Sequence, residues 1–479
     1  QEVQDSDSGD TGQADDAGAA PGGEGNEEGD TDPMDALRRS PTVRNLVTVT
    51  FTRQELLQRL REAALRHPAD TYRLFGAVMD IDERGGLAPI SAEFDLRDAR
   101  FSPTGSQEEP ELSDKVFPAT VAGILGTGNA EGLSIQRADL LQRCVDEFHR
   151  LAADGTLASV SKAQHAMHVI DRVADPELSE LSSRVTSALI DGTDTPDFTF
   201  QLADELDRER TRARDLLFSG QDDQAVTVAE AAIERVESAY ADNPGVPRYF
   251  NSYAERVVYN RLFATDGERT VLIPDNLFYA HTELADLLSQ LKGAKAALPH
   301  LNAMVAYAPA YPFSHMKLAV QLARNEDWDS ARAACLNALR VALDRDDAAF
   351  AYYRLAYAEW MRDRFDIAAA AYIMSEHIAP GQIGALDGEL RELLARAESQ
   401  CIAVPTDVES AAGVLRMHDL PVWPHTQVAA IVRDAARVCV DEGMFVPART
   451  LSMAAARMND GDNGGVDMVQ SQFLRSLNS

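Results

Sequence analysis

The sequence predicts a mainly α protein: a solenoid of antiparallel helix pairs, preceded by a small α/β segment and a disordered acidic tail. Three observations lead there. From Ser134 onward almost every segment places apolar residues at helical spacing. Those segments run about 15 residues and end at short breaks such as Asp154-Gly155, Asp191-Gly192, Asn243-Pro244 and Glu442-Gly443, as helices that fold back on their neighbours do. Small and large residues also recur at a nearly fixed step, the mark of stacked units. A chain of 479 residues, 45% of them hydrophobic, has apolar material for such a core. At roughly 150 residues per domain it holds about three domains or one long solenoid.

Taken in order, residues 1–44 form a tail and linker. The first 35 residues carry twelve Asp or Glu and no Lys or Arg, set among Gly, Ser and Ala. Such a stretch has too little to bury to offset its ordering entropy and is expected to stay disordered. Residues 45–101 read as the α/β segment. Val47, Val49 and Phe51 alternate with threonines as a strand does, and Thr52 with Glu55 makes a capping box for a helix through Leu65. Tyr72 to Ile81 and Ile90 to Leu96 read as further strands around a turn at Arg84-Gly85-Gly86. Residues 102–133 are expected to be linker and loop. Gly126, Gly128 and their neighbours suggest a dinucleotide loop, but the third fingerprint position is Glu131, whose charge would repel a pyrophosphate.

Helices are expected over 134–153, 158–174 and 176–190, forming a helical segment over 134–197. A repeat domain over 198–479 follows, with helices at 198–219, 222–241, 247–264, 276–291, 294–307, 312–325, 328–343, 347–362 and 365–378. Four more, at 385–401, 406–417, 425–442 and 445–458, read as diverged repeats. Within the domain Leu284-Ala285, Leu318-Ala319 and Leu355-Ala356 recur at steps of 34 and 37 residues. Ala297, Ala331 and Ala368 recur at the same steps, followed four residues on by Leu301, Cys335 and Tyr372. Ala308-Pro309 and Ala379-Pro380 close two of the units.

These positions resemble the tetratricopeptide repeat family, clearest over about residues 278–380, roughly a fifth of the chain. The resemblance implies helix pairs whose first helices line a ligand groove. Carried onto this sequence, the groove takes Tyr279, Thr282 and Asp286 from the first unit. Phe313, Met316, Lys317, Val320 and Arg324 come from the second, and Phe350, Tyr353, Arg354, Tyr357 and Trp360 from the third. One subclass of the family grips a peptide's terminal carboxylate with Lys and Asn side chains and one Arg. Here Thr282, Asp286, Lys317 and Phe350 stand in four of those places and only Arg354 fits, which disfavours that ligand.

Charge bounds the partner. With 45 basic and 77 acidic residues the net charge is −32, and the tail accounts for −12 of it. A net-negative body repels phosphate, so nucleic acid and anionic membrane are not expected partners, whereas basic or apolar protein and peptide surfaces are. The four cysteines are far apart and the apolar runs are too short to span a bilayer. A cytoplasmic location is expected, with secretion after removal of an upstream signal left open. His165, His168 and Asp171 lie at steps of three on one helix, but steps of three spread them around it, and no metal or cofactor is expected. The functional expectation is a non-catalytic scaffold that binds a peptide or protein partner in the groove. The alternative is a regulatory or enzymatic protein whose activity resides in 45–101.

Overall fold

Repeating alanines decide how the helices of this chain meet. The computed structural model describes strands at 73–81, 87–95 and 100–103, and residues 120–458 apart from 130 and 266. Among these residues it is mainly helical, with eighteen α-helices and little strand. The acidic tail, the strand and helix expected over 47–65, and the turn at 84–86 lie outside the described residues.

The three strands are β1 (Arg73–Ile81), β2 (Leu87–Asp95) and β3 (Arg100–Pro103). They form an antiparallel meander in which Ala77 faces Ser91 and Phe94 faces Phe101. The sheet thus continues past the expected boundary at Phe101, because β3 pairs with β2 where a linker was expected.

The solenoid is built from four helix pairs and two further helices. They are α6 (Leu202–Phe218) with α7 (Asp222–Tyr240), α9 (Asp275–Lys292) with α10 (Ala294–Tyr307), and α11 (Pro312–Arg324) with α12 (Trp328–Val341). The last pair is α13 (Arg345–Met361) with α14 (Phe365–Ile378); the helices expected to form a further pair over 385–417, α15 (Leu386–Ser399) and α16 (Val408–Met417), instead each pack on α14. Ala297, Ala331 and Ala368 are all at most 1% exposed, and so are Leu301, Cys335 and Tyr372 one turn on. A methyl group at each crossing lets two backbones approach, and the larger residue fills the space beside it. The helix α14 is apolar nearly all round, from Ile367 to Met374, because α13, α15 and α16 enclose it. Polar links fasten successive pairs. Glu359, fully buried on α13, accepts from Arg332 of α12 and at 2.7 Å from Arg362, which also reaches Asp329 at 2.6 Å.

Three further expectations need correction. Residues 247–264 are not one helix. Pro244 and Pro247 interrupt the segment, Val246–Arg248 (β4) pairs in parallel with Thr270–Leu272 (β5), and α8 begins only at Tyr253, capped by Ser252 (Tyr253–Leu262). Residues 102–133 are not all loop. Helix α1 (Val121–Leu125) and a 3-10 turn at Glu131–Leu133 bury Leu125 and Leu133. Gly126 ends α1 at φ 69°, and a Cβ there would lie 2.6 Å from the Asn260 Cβ of α8. Asn260, Arg256 and Arg261 then cap carbonyls of Ile124, Leu125 and Gly132.

The third correction concerns 425–458. The pair α17 (Thr426–Asp441) and α18 (Phe445–Met458) packs chiefly on α8 and α1 rather than continuing the stack beyond α16. It belongs to a second apolar core with α1, α2 (Arg137–Ala153), α3 (Ser159–Val173), α4 (Pro176–Glu180) and α5 (Ser182–Asp191). Two anchors redirect it. Tyr352 of α13 donates to the Pro421 carbonyl at 2.7 Å and accepts from the Trp423 amide at 3.0 Å. Arg137 is buried against Asp175 at 2.6 Å and Glu177 at 2.7 Å, and Glu177 accepts from the Gln201 amide at the start of α6, joining the two cores.

The alanine crossings are open to a direct test. Ala331→Leu should cost about 1–3 kcal/mol of stability in urea unfolding of the full chain, whereas Ala395→Leu, on the exposed face of α15, should change it by less than about 0.5 kcal/mol.

Candidate functional site

Each first helix of a pair offers one stripe to a shared face. Pro312 opens α11 at a position where a missing N–H costs nothing, and Asp344 caps α13 by accepting from the Asp347 amide at 3.0 Å. Register along the stripes then follows from helical spacing. On α9, Tyr279 is 45% exposed while Thr282 and Asp286 are half-buried. On α11, Phe313, Lys317 and Val320 are half-buried and Arg324 is exposed. On α13, Phe350, Arg354 and Tyr357 are half-buried.

Side chains tie the stripes to each other. Lys317 Nζ bonds both oxygens of Asp286 at 2.7 Å and stands 5.6 Å from the Phe313 ring. The Ser289 hydroxyl donates to Gln321 at 2.9 Å one turn further along. Arg354 lies over Phe350 and Tyr353, at 5.1 and 5.3 Å from the ring centroids, and its buried Nε has no acceptor. Tyr357 meets Trp328 and Trp360 edge-on at 5.7 and 6.2 Å.

Three of the expected groove residues are not available to a ligand. Met316, Tyr353 and Trp360 are 5%, 9% and 5% exposed. Met316 turns into the core between pairs. Helix α15 accounts for the other two: the Tyr353 hydroxyl donates to Glu389 at 2.8 Å beside that of Tyr372, and Arg396 lies 5.7 Å from the Trp360 ring. The next helix in the stack therefore uses these aromatics as packing.

The structure adds residues that the repeat pattern did not point to. Tyr249, just after β4, stacks on Phe278 at 4.3 Å, and its hydroxyl meets that of Tyr279 at 3.1 Å. Tyr311, the cap of α11, lies 6.3 Å from Tyr249 and 5.6 Å from Phe313. Tyr249 was hidden because its segment reads as helix, and Tyr311 because a repeat register counts it as loop. Two carboxylates act through their charge on these tyrosines, Asp275 on Tyr249 and Asp347 on Tyr311. Burial and then the charge of Asp139 push Asp275 up to about 6, and burial with Asp344 and Asp346 pushes Asp347 up to about 7. Glu255, 3% exposed and bonded by the Asn251 amide at 2.8 Å, is pushed up to about 8 by burial.

Elsewhere His165 lies 3.2 Å from Glu147, and no three metal-binding side chains converge among the described residues. A polar cluster joins α7, α9 and α10. His281 Nε2 is 3.2 Å from Glu237, His281 Nδ1 is 3.1 Å from His300 Nδ1, and the Tyr307 hydroxyl donates to Glu237 at 2.9 Å. Only one proton fits between the two Nδ1 atoms, and burial with the neighbouring His281 holds His300 down at about 4.

No family model matches the chain. No curated protein matches it either. A solved structure of PilF from Pseudomonas aeruginosa aligns over 57% of this chain and 100% of its own, with 13% identity and a TM-score of 0.29. So loose an alignment places no residue.

The shifted groups predict the pH profile. His300 binds its proton less readily folded than unfolded, so its contribution is present above about 6.5 and is lost as pH falls toward 4. Glu255 and Asp347 hold protons more readily folded, so stability present below about 4 is lost as pH rises through 7 to 8. Thermal melts from pH 4 to 9 should show both limbs. His300→Gln should flatten the acid limb, and Glu255→Gln with Asp347→Asn the basic one.

Proposed function

We propose that this protein is a non-catalytic scaffold that binds a protein partner by holding a segment of it across the face formed by α9, α11 and α13. The observation that carries this reading is the single strip made by Tyr279, Phe313, Lys317, Val320, Phe350 and Tyr357, which are half-buried or exposed on three consecutive first helices. Side chains held at their stems by packing, with their outer faces open, lose little freedom when a ligand docks. Aromatic anchors of this kind supply most of the energy where peptides bind. The Asp286–Lys317 pair, 46% and 27% exposed, contributes under about 1 kcal/mol to stability. Its value to the protein lies in offering both a donor and an acceptor to a bound main chain.

An adaptor is also what the charge supports. A body that keeps −20 of the net charge outside the tail favours basic or apolar protein surfaces over nucleic acid and anionic lipid. Among the described residues no helix is long and apolar enough to cross a membrane.

The test uses the full chain, because removing residues before 198 would strip α1 to α5 from the core that holds α17 and α18. Partners captured by the intact protein should be lost with Val320→Trp, which blocks the strip. They should weaken about tenfold or more with Tyr279→Ala and Tyr357→Ala together, and persist with Val446→Ser on the exposed face of α18. Binding that survives the strip variants and vanishes on deletion of 45–101 would contradict the proposal.

A further inference from the structure

The outer face of α18 carries apolar side chains that nothing among the described residues covers. Val446 is 68% exposed and Met453 is 42% exposed. Seven residues apart, they lie two turns from each other on one side of the helix. Thr450 sits between them, Arg449 and Arg457 flank them, and all three are exposed. The opposite side, from Ala448 through Leu451 and Ala455 to Met458, is buried in the second core, where α18 packs chiefly on α17 and α8.

The chain that follows α18 lies outside the described residues, and its sequence carries a matching pattern. Val466, Val469, Phe473 and Leu477 recur at steps of three and four, the spacing of one side of a helix. Asp467, Ser471 and Arg475 fall on the other side. Val466 to Leu477 covers eleven residue steps, as Val446 to Arg457 does, so both stripes are roughly 16 Å long as helix. Between them Asn459-Asp460-Gly461-Asp462-Asn463-Gly464-Gly465 is composed of turn-forming residues. That length easily spans the roughly 8–10 Å between packed helix axes. Charge agrees with the pattern. Helix α18 holds two arginines and no acid, whereas 459–479 holds three Asp and one Arg. In a chain of net charge −32, a cationic face followed directly by an acidic continuation favours their pairing.

We propose that residues 466–477 return as a helix antiparallel to α18 and cover its outer face. In that register Leu477 meets Val446, and Phe473 lies over Thr450, filling the space between Val446 and Met453. Asp460 and Asp462 then stay beside Arg457. The chain's own segment outcompetes a separate partner because its tether holds it at an effective concentration in the millimolar range. The docking closes the second core and is independent of the strip on α9, α11 and α13.

Hydrogen exchange on the unaltered full chain gives the first reading. Amides of 466–477 should exchange about tenfold or more slowly than free chain. Phe473→Ser should remove that protection and leave α9, α11 and α13 as they were. Disulfide trapping then reads the contact in a Cys401→Ser background, since Cys401 is exposed and the other three cysteines are buried. Val446→Cys with Leu477→Cys should join within one chain, whereas Leu291→Cys with Leu477→Cys, Leu291 being exposed at the end of α9, should not. Free-chain exchange across 466–477 would overturn the proposal without any variant. Protection with no Val446–Leu477 link would overturn the placement on α18. A link formed between two chains would overturn it in favour of a second copy, and a link to Leu291 in favour of a site on the solenoid.

Discussion

Everything in the solenoid depends on backbones coming close at the alanine crossings. An isolated pair such as α11 and α12 cannot cover its own apolar stripe, so it persists only when pairs on both sides lie within van der Waals reach. Ala297, Ala331 and Ala368 allow that reach, and Leu301, Cys335 and Tyr372 fill the space it creates. The first helices α9, α11 and α13 then lie side by side, near enough for Asp286 to meet Lys317 and for Ser289 to meet Gln321. The exposed strip is a consequence of core packing rather than a separate device.

The same constraint divides the aromatic residues into two uses. Where a following helix lies against the stripe, rings become packing, as Tyr353, Tyr372 and Trp360 do beside α15. Where the neighbouring first helix leaves room, as at Tyr279, Phe313 and Tyr357, they keep an open face. The buried ion pairs follow a parallel logic. Glu359 and Asp175 each hold an arginine at a seam between helices, and Asp275 and Asp347, at the starts of α9 and α13, are left without one among the described residues.

Much of this was legible in the sequence, and the misses share a cause. Helical spacing and the alanine recurrence are written within 34 to 37 residues of chain, so the helices from 276 to 378 and their stacking follow from local pattern. The destination of α17 and α18 does not. An apolar stripe announces that something covers it without saying what, and here α8 and α1 do so from far away in the chain. The β4–β5 pairing is likewise non-local, and it moved Tyr249 from an expected helix to the edge of the strip. Tyr353 and Trp360 were assigned to the groove by register alone, which cannot see that α15 lies over them. The carboxylates Asp275 and Asp347 read as ordinary first-turn acids, and only their surroundings set them apart.

The most direct measurement of the central claim is hydrogen–deuterium exchange on the full chain, with and without a tightly bound partner segment. The account predicts slowed exchange in α9, α11 and α13, with α17 and α18 unchanged. Protection confined to the 73–103 strands or to the α17–α18 pair would contradict it, because the ligand would then lie away from the strip that the alanine crossings build.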